Sequence, residues 1–376
     1  MTLEEARGLF PCRRSGRIYL NHANLAPVAD PVRAAADHYL DLRADNCIDD
    51  FEKIDAELER GKARVSELIN MPADRVGFLD NTSNAINLLA GGLPWKRGDR
   101  VLLNDIEFPA NVYPFLALAD RGVETDFVAA RRGVVSAEDV ISAITPRTRL
   151  VAMSFVQFLS GYRADLEAIG AVCKDRGVIL SVDVIQGVGA LRFDAKAVNA
   201  DFVAAGTHKW TFGLMGLSYF GITEELQSQI VRRSCGWRSV EDQWNLLDYK
   251  LEYRKSADTF QTGNTNMVGL HAFLAGSGML RDVGYETVER AVLENAERVR
   301  GRLVELGLEP LAADEPPERR SGIVTVPVPD AEKTRRVLAE RKIHVSARGG
   351  AVRFSPHFHN TREEIDEAIG ALKDCL

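Results

Sequence analysis

Between residues 76 and 205 the chain alternates short apolar runs with longer stretches of helical periodicity, and this alternation limits the fold more than any other feature. The runs at 76–79, 98–104, 123–128, 150–155, 178–182 and 202–205 have strand length and are rich in Val, Leu, Ile and Ala. Near-continuous apolar runs of this kind are expected of strands buried on both faces of a parallel sheet. Helices are predicted over 84–90, 137–144 and 166–176, and LSYFGI after Gly216 is one more strand. Strand, helix, strand in repetition is the βαβ unit, so the fold class is α/β with a large, mainly parallel sheet.

The flanks read differently. A short strand at 17–20 runs into an Asn/His-rich loop ending at Pro27, and amphipathic helices follow over 30–44 and 49–69. Residues 232–266 mix Trp, Arg and Gly without a period, as a long functional loop or lid would. Helices are predicted over 267–282 and 286–306. The tail then forms a smaller α+β unit, with strands at 322–328, 344–347 and 351–355 and helices at 331–341 and 361–372. The expected organisation is an N-terminal arm (1–20), a large domain (21–258) and a small C-terminal α+β domain (259–376) that packs with the arm.

Composition removes several classes of function. A net charge of −7 without a basic cluster speaks against nucleic acid or an anionic membrane as partner. The first residues carry no apolar core of signal-peptide length and no long uncharged span occurs, so the expected location is the cytoplasm. Cysteines at 12, 47, 173, 235 and 375 are scattered and form neither a disulfide framework nor a metal pattern, so no metal is expected.

The chemistry gathers where the strands end. The run at 178–182 leads into Asp183 and Gln186, and the run at 202–205 into Thr207, His208 and Lys209. In an open α/β sheet ligands lie outside the carboxyl ends of the strands, so these groups can converge on one small molecule. Pyridoxal 5'-phosphate needs an amine for an imine, a carboxylate for its ring nitrogen, donors for its phosphate and a face to stack on. Lys209, set between an apolar strand and Trp210, supplies the amine, and desolvation favours its neutral, nucleophilic form. Asp183 supplies the carboxylate, and Gln186 a donor for the ring's phenolic oxygen. Asn81-Thr82-Ser83 begins a helix, whose free N–H groups make a phosphate cup. Phe108, just past the strand at 98–104, offers a ring. Taken singly, these are also an ordinary helix cap, a core aromatic and a βα-loop acid; Lys209 draws them together.

The sequences VDVIQGVG and GTHKW, with the NTS cap upstream and VRFSPHFHNTREEID near the end, resemble the class V aminotransferase family of fold type I pyridoxal phosphate enzymes. That group includes cysteine desulfurases, isopenicillin N epimerase-like proteins and kynureninase-like enzymes. The resemblance runs from YLNHA to the last helix. It implies a homodimer with active sites at the subunit interface and a small amino acid as substrate. It implies that Lys209 carries the aldimine, Asp183 pairs with the ring nitrogen, Gln186 meets the phenolic oxygen and Phe108 stacks on the ring. Thr82, the backbone of Ser83, and His208 would bind phosphate, and Arg353 would clamp the substrate carboxylate.

Departures from the family pattern bear on the reaction. Gly206 stands where desulfurases often have Ser, which passes a phosphate contact to Thr207. Asn264 replaces a Thr that in relatives reaches the partner subunit's phosphate, with Thr265 as substitute. Phe108 replaces a stacking His, and Phe158 an Asn. The segment SARGGAVR lacks the nucleophilic cysteine of a desulfurase loop, which argues against persulfide chemistry. Transamination is the leading expectation, by analogy with the breadth of its use on this fold. The alternatives are a C–S or other β-lyase, an amino-acid epimerase, or more distantly a silent binding or regulatory relative. For the substrate side chain the candidates are His22, Asn24, Gln157, Trp237, Arg238, His357 and His359, with the aromatic and guanidinium pair Trp237–Arg238 suited to an anionic or aromatic group.

Overall fold

The computed structural model describes residues 1–45 and 50–376. Its strands are β1 (Ile18–Tyr19), β2 (Val76–Leu79), β3 (Arg100–Asn104), β4 (Glu124–Val128), β5 (Thr148–Ser154), β6 (Ile179–Asp183), β7 (Phe202–Gly206), β8 (Ser218–Ile222), β9 (Val324–Pro327), β10 (Ile343–His344), β11 (Ser346–Arg348) and β12 (Ala351–Phe354). Seven of them form one sheet in the order β2-β8-β7-β6-β5-β3-β4. Only β8 runs against its neighbours, β2 on one side and β7 on the other. Strands β5 to β8 are almost wholly buried, as their lack of polar alternation requires. The edge strand β4 is half exposed, and its Glu124 and Asp126 both pair with Arg100 of β3. Such charges keep an open edge from adding another strand.

Helix Asp30–Ala44 lies where its periodicity placed it, and the next helix covers Phe51–Ile69. Its expected first residue, Asp49, falls outside the described residues. Asn81 caps the helix Thr82–Gly92 through its side chain, which accepts the Asn84 N–H at 2.8 Å.

A second hydrophobic cluster lies between the antiparallel sheet β11-β12-β9 and the helices Tyr285–Glu305, Ala331–Glu340 and Arg362–Lys373. Its core joins Val299, Leu303, Val324, Leu338, Phe354 and Leu372 with Ile18 and Leu20 from the other end of the chain. Strand β1 joins this cluster and pairs in parallel with β10. Helix Met267–Val283 packs into the hydrophobic core beside the seven-stranded sheet. There Leu270 and Phe273 pack with Val65, Phe78 and Tyr219.

Candidate active site

All the parallel strands end at one edge, and the loops leaving that edge carry the chemistry. Asp183 is the last residue of β6, and Lys209 follows β7 by three residues. The loop bearing Lys209 is tied to itself. Gly213 N–H donates to the Thr207 carbonyl at 2.8 Å, and the Thr211 hydroxyl donates to the same oxygen at 2.7 Å. It is also wedged. Gly189, at φ +102°, touches the backbone of Trp210 so closely that any side chain there would collide with it. Trp210 is fully buried, and its indole N–H donates to Gln186 Oε1 at 2.9 Å. Removing that ring would cost about 3–5 kcal/mol and unseat the lysine's backbone.

Lys209 is 9% exposed, and its Nζ makes no ion pair or hydrogen bond among the described residues. It faces the Phe108 ring, 5.7 Å from the centroid. Burial pulls its pKa down to about 8; Asp183 opposes this, while Arg353 and Arg348 add to it. Asp183 is 3% exposed. Its Oδ1 accepts the Ile185 N–H at 2.9 Å, whereas Oδ2 takes no hydrogen bond among the described residues. Burial raises its pKa to about 7; Glu107 raises it further, against the Ile185 N–H and Lys209. An amine that gives up its proton easily and an acid that holds one easily therefore share one chamber.

Arg353, on β12, is 2% exposed and has no acidic partner among the described residues. Its Nη1 donates to the Phe158 carbonyl at 2.7 Å, and its buried Nε donates to nothing. Burial, then the charge of Arg348, lowers its pKa to about 9. A buried guanidinium with no acidic partner and one unmet donor is a place where an anion gains both charge pairing and a hydrogen bond. Phe108, 44% exposed, stands edge-on to Phe158 with the ring centres 5.3 Å apart. At the start of the helix Thr82–Gly92, the first-turn amides of Thr82 and Ser83 have no intrahelical acceptor. His208 is half-buried and kept neutral, its pKa lowered to about 4 by burial and then by Lys209.

Glu107 is the functional residue that sequence reading missed. Buried beside Phe108, it accepts five hydrogen bonds, from Asn104 Nδ2, Ser154 N and Gln157 Nε2 on Oε1 and from Asn111 Nδ2 and Ser154 Oγ on Oε2. These donors come from β3, the turn after it, the end of β5 and the loop beyond. The carboxylate thus ties the segment of Phe108 to that of Phe158. Five donors solvate its charge in place of water, and that charge bears on Asp183.

Several expected site residues lie elsewhere. The Thr207 hydroxyl is turned inward, with the carbonyls of Leu214 and Leu217 at 3.0 and 3.1 Å sharing its one hydrogen. The absence of a side chain at Gly206 serves His208 instead: a Cβ there would meet the imidazole at 2.8 Å. His22, His357 and His359 do not line the chamber. They are fully buried behind Trp210, with His22 Nε2 and His359 Nε2 2.7 Å apart and Phe10 and Phe212 packed around them. Gln186 is held by Trp210 and by the Ala23 carbonyl, to which its amide donates at 2.9 Å, so one N–H remains for a ligand. Asn24 is exposed, its Oδ1 3.4 Å from Arg348 Nη2. Gln157 is buried on Glu107.

Trp237 packs on Trp244 and under Arg238, and Arg238 is paired with Asp55 at 2.7 Å. No hydrogen bond or ring contact joins either residue to Lys209 among the described residues. Asn264 is exposed, and Thr265 Oγ1 accepts from Gln261 Nε2 at 2.7 Å.

The donor set fits pyridoxal phosphate: a buried amine, a buried carboxyl with one free oxygen, an exposed ring above them and unpaired amides at a helix start. The sequence model of the family "Aminotransferase class-V" matches residues 18–368. The chain belongs to the class V aminotransferase family. Its cofactor is accordingly pyridoxal phosphate, held on a fold type I framework. Among relatives of this family member, a probable cysteine desulfurase of Methanothermobacter thermautotrophicus is 27% identical over 97% of this chain and 96% of its own. The uncharacterized aminotransferase YcbU of Bacillus subtilis is 27% identical over 98% and 97%. The fold matches the apo cysteine desulfurase of Thermococcus onnurineus with a TM-score of 0.90 at 24% identity, covering 99% of this chain and 97% of that one. It also matches a cystine C–S lyase, C-DES, in complex with cysteine persulfide, with a TM-score of 0.88 at 22% identity, covering 96% and 98%. No helix among the described residues is long and apolar enough to cross a membrane.

Proposed function

We propose that this class V enzyme eliminates a β-substituent from a small amino acid, as a C–S lyase does. The observation that carries the reading is the make-up of the chamber. Arg353, Lys209 and Asp183 provide what chemistry at Cα requires, and the hairpin beside them, 346–353, offers no thiol. Among the described residues the cysteines are Cys12, Cys173, Cys235 and Cys375, none of them in that hairpin. With no thiolate to receive it, a departing sulfur leaves into solution. Relatives named as desulfurases and a structural neighbour named as a cystine C–S lyase support this over plain transamination.

The residues divide the work. Arg353 takes the α-carboxylate on its orphan Nε and fixes Cα over Lys209. Asp183 offers Oδ2 to the ring nitrogen, and its high proton affinity keeps a proton at that contact. The cofactor, when bound, supplies the electron sink that makes the Cα proton removable. Lys209 Nζ, readily neutral, accepts that proton and then carries it as the acid nearest the departing atom. Phe108 and Phe158 keep water off the reacting bonds. The amides of Thr82 and Ser83 and the neutral His208 hold the phosphate.

We further read the working unit as a homodimer. The exposed side chains of Leu246, Leu247, Tyr249 and Leu251, between Trp237 and Asn264–Thr265, support a second copy covering this segment. A monomer by sedimentation would contradict that.

Incubating the holoenzyme with β-substituted and unsubstituted amino acids tests the reaction. Pyruvate and ammonia in equal amounts are expected. A keto acid accompanied by the pyridoxamine form of the cofactor would establish transamination and overturn the proposal. Lys209→Ala should abolish the visible band of lysine-bound cofactor.

A further inference from the structure

The carboxylate of Glu107 reaches further than the two aromatic segments it ties. Ser154, which gives it a backbone N–H at 2.8 Å and a hydroxyl at 2.5 Å, closes β5 and lies in register with Asp183, the last residue of the neighbouring β6. Both side chains leave the same face of the sheet. Leu150 and Ala152 of β5 and Ile179 of β6 pack in one hydrophobic cluster, and Val151, Met153, Leu180 and Val182 in another, so alternation sets Ser154 and Asp183 with the first group. Neighbouring strands are about 4.8 Å apart, which puts the Glu107 carboxylate roughly 7–8 Å from that of Asp183, on the far side of the Ser154 hydroxyl.

The surroundings of Glu107 keep it charged. All five of its partners are donors and none is a cation, and the ionised carboxyl is the form that only accepts. Asn111 and Gln157, both fully buried, turn their amide nitrogens to it and leave their own carbonyl oxygens without a partner among the described residues. Neutral donors solvate a charge without cancelling it, so its field passes to the neighbouring acid.

We propose that Glu107 is a positioning residue for the chemistry at Cα: its fixed negative charge keeps a proton at the contact between Asp183 and the ring nitrogen of the cofactor. A negative charge beside that contact makes loss of the proton costly whichever of the two carries it. Two charges at this separation, at an effective dielectric constant of about 20, shift a proton affinity by about one to two pH units. The other titratable groups that act on Asp183 are Lys209, from the loop after β7, and Tyr219, on β8. The cationic amine favours loss of the proton, and Glu107 opposes it. The proposal rests on Asp183 meeting the ring nitrogen and holds whichever bond at Cα is broken.

The test reads Asp183 itself. In the full-length apoprotein carrying carbon-13 at its aspartate carboxyls, the Asp183 resonance is assigned by its loss in Asp183→Asn and then titrated. Glu107→Gln should lower the midpoint by about one to two pH units. Glu107→Asp and Ser154→Ala both keep the charge and should leave it within about 0.3 unit of the wild type. In the holoenzyme, Glu107→Gln should lower kcat about tenfold with KM changed no more than about two- to threefold, and Glu107→Asp should recover most of the loss. Equal Asp183 midpoints in the wild type and Glu107→Gln would overturn the proposal. So would an equal drop in Ser154→Ala, which would assign the effect to the shape of the network. Should Glu107→Gln not fold, the wild type decides alone, because an Asp183 midpoint at the ordinary value of about 4 would show that no second charge presses on it. A midpoint lowered in Glu107→Gln, with the nitrogen-15 resonance of the labelled cofactor ring insensitive to both Glu107→Gln and Asp183→Asn, would overturn the ring contact on which the proposal rests and not the effect of the charge.

Discussion

Acidification should loosen the platform under Lys209. His22, His357 and His359 sit together behind Trp210, and burial holds each below its ordinary range, His357 at about 3. A histidine whose folded pKa is depressed contributes stability that is complete above its unfolded value near 6.5 and is lost as pH falls through it. Going from pH 7 to pH 5 with the folded cluster proton-free, each histidine withdraws about 2 kcal/mol, or about 6 kcal/mol for the three. Asp183 pushes the other way. With its folded pKa at about 7 and its unfolded one near 3.9, it adds about 2 kcal/mol over the same interval. The apoprotein should therefore lose about 4 kcal/mol from these groups. A variant isolates the cluster. His359 stacks on Phe10 at 4.3 Å in apolar surroundings, so His359→Leu is tolerable in shape and removes one site, while the Asp183 contribution cancels. Urea unfolding of both apoproteins at pH 7 and pH 5 should show the acid-induced loss smaller by about 2 kcal/mol in the variant. Equal losses would mean that the cluster already carries protons when folded, and would refute the reasoning.

Other outcomes follow from the site. Arg353→Lys keeps the charge but loses the fork, so amino-acid affinity should fall by about 10- to 100-fold with the lysine-bound cofactor band intact; unchanged affinity in a spectral titration contradicts the clamp. Glu107→Gln presents an amide to donors that now meet a carboxylate, and should cost about 2–4 kcal/mol in urea unfolding; a loss below about 1 kcal/mol would deny Glu107 its tying role. Capture of pyridoxal phosphate by the apoenzyme requires the neutral amine of Lys209, so its rate should level off just above pH 8. A rate still rising tenfold per pH unit above pH 9 would mark an ordinary lysine.

Much of this was legible in the sequence because burial leaves a continuous signal. The helix at 30–44 and the strand at 76–79 lie where periodicity placed them, and Asp183 and Lys209 stand at strand ends where polar residues have no packing reason to be. The direction of β8 was not legible, since a strand buried on both faces reads alike either way. Glu107 was hidden for another reason. A lone acid after a strand looks solvent-facing, and its five donors are brought together only by the folded sheet. The histidines misled in the opposite sense: as polar residues near motifs they looked like ligands of a substrate, yet apolar packing from both ends of the chain buries them. For Thr207 the partners that decide its role, the carbonyls of Leu214 and Leu217, lie in the turn that follows.

The pairing of β1 with β10 sets an order of events during synthesis. The Leu20 carbonyl waits for Ser355, 335 residues later, which at ribosomal speeds is roughly 20–70 s. Late in that interval the nascent chain contains Lys209, Asp183 and the helix start at Thr82, but neither Arg353 nor the His357 that packs behind Trp210. The segment that begins with β12 therefore completes two things together, the packing behind Trp210 and the placing of Arg353.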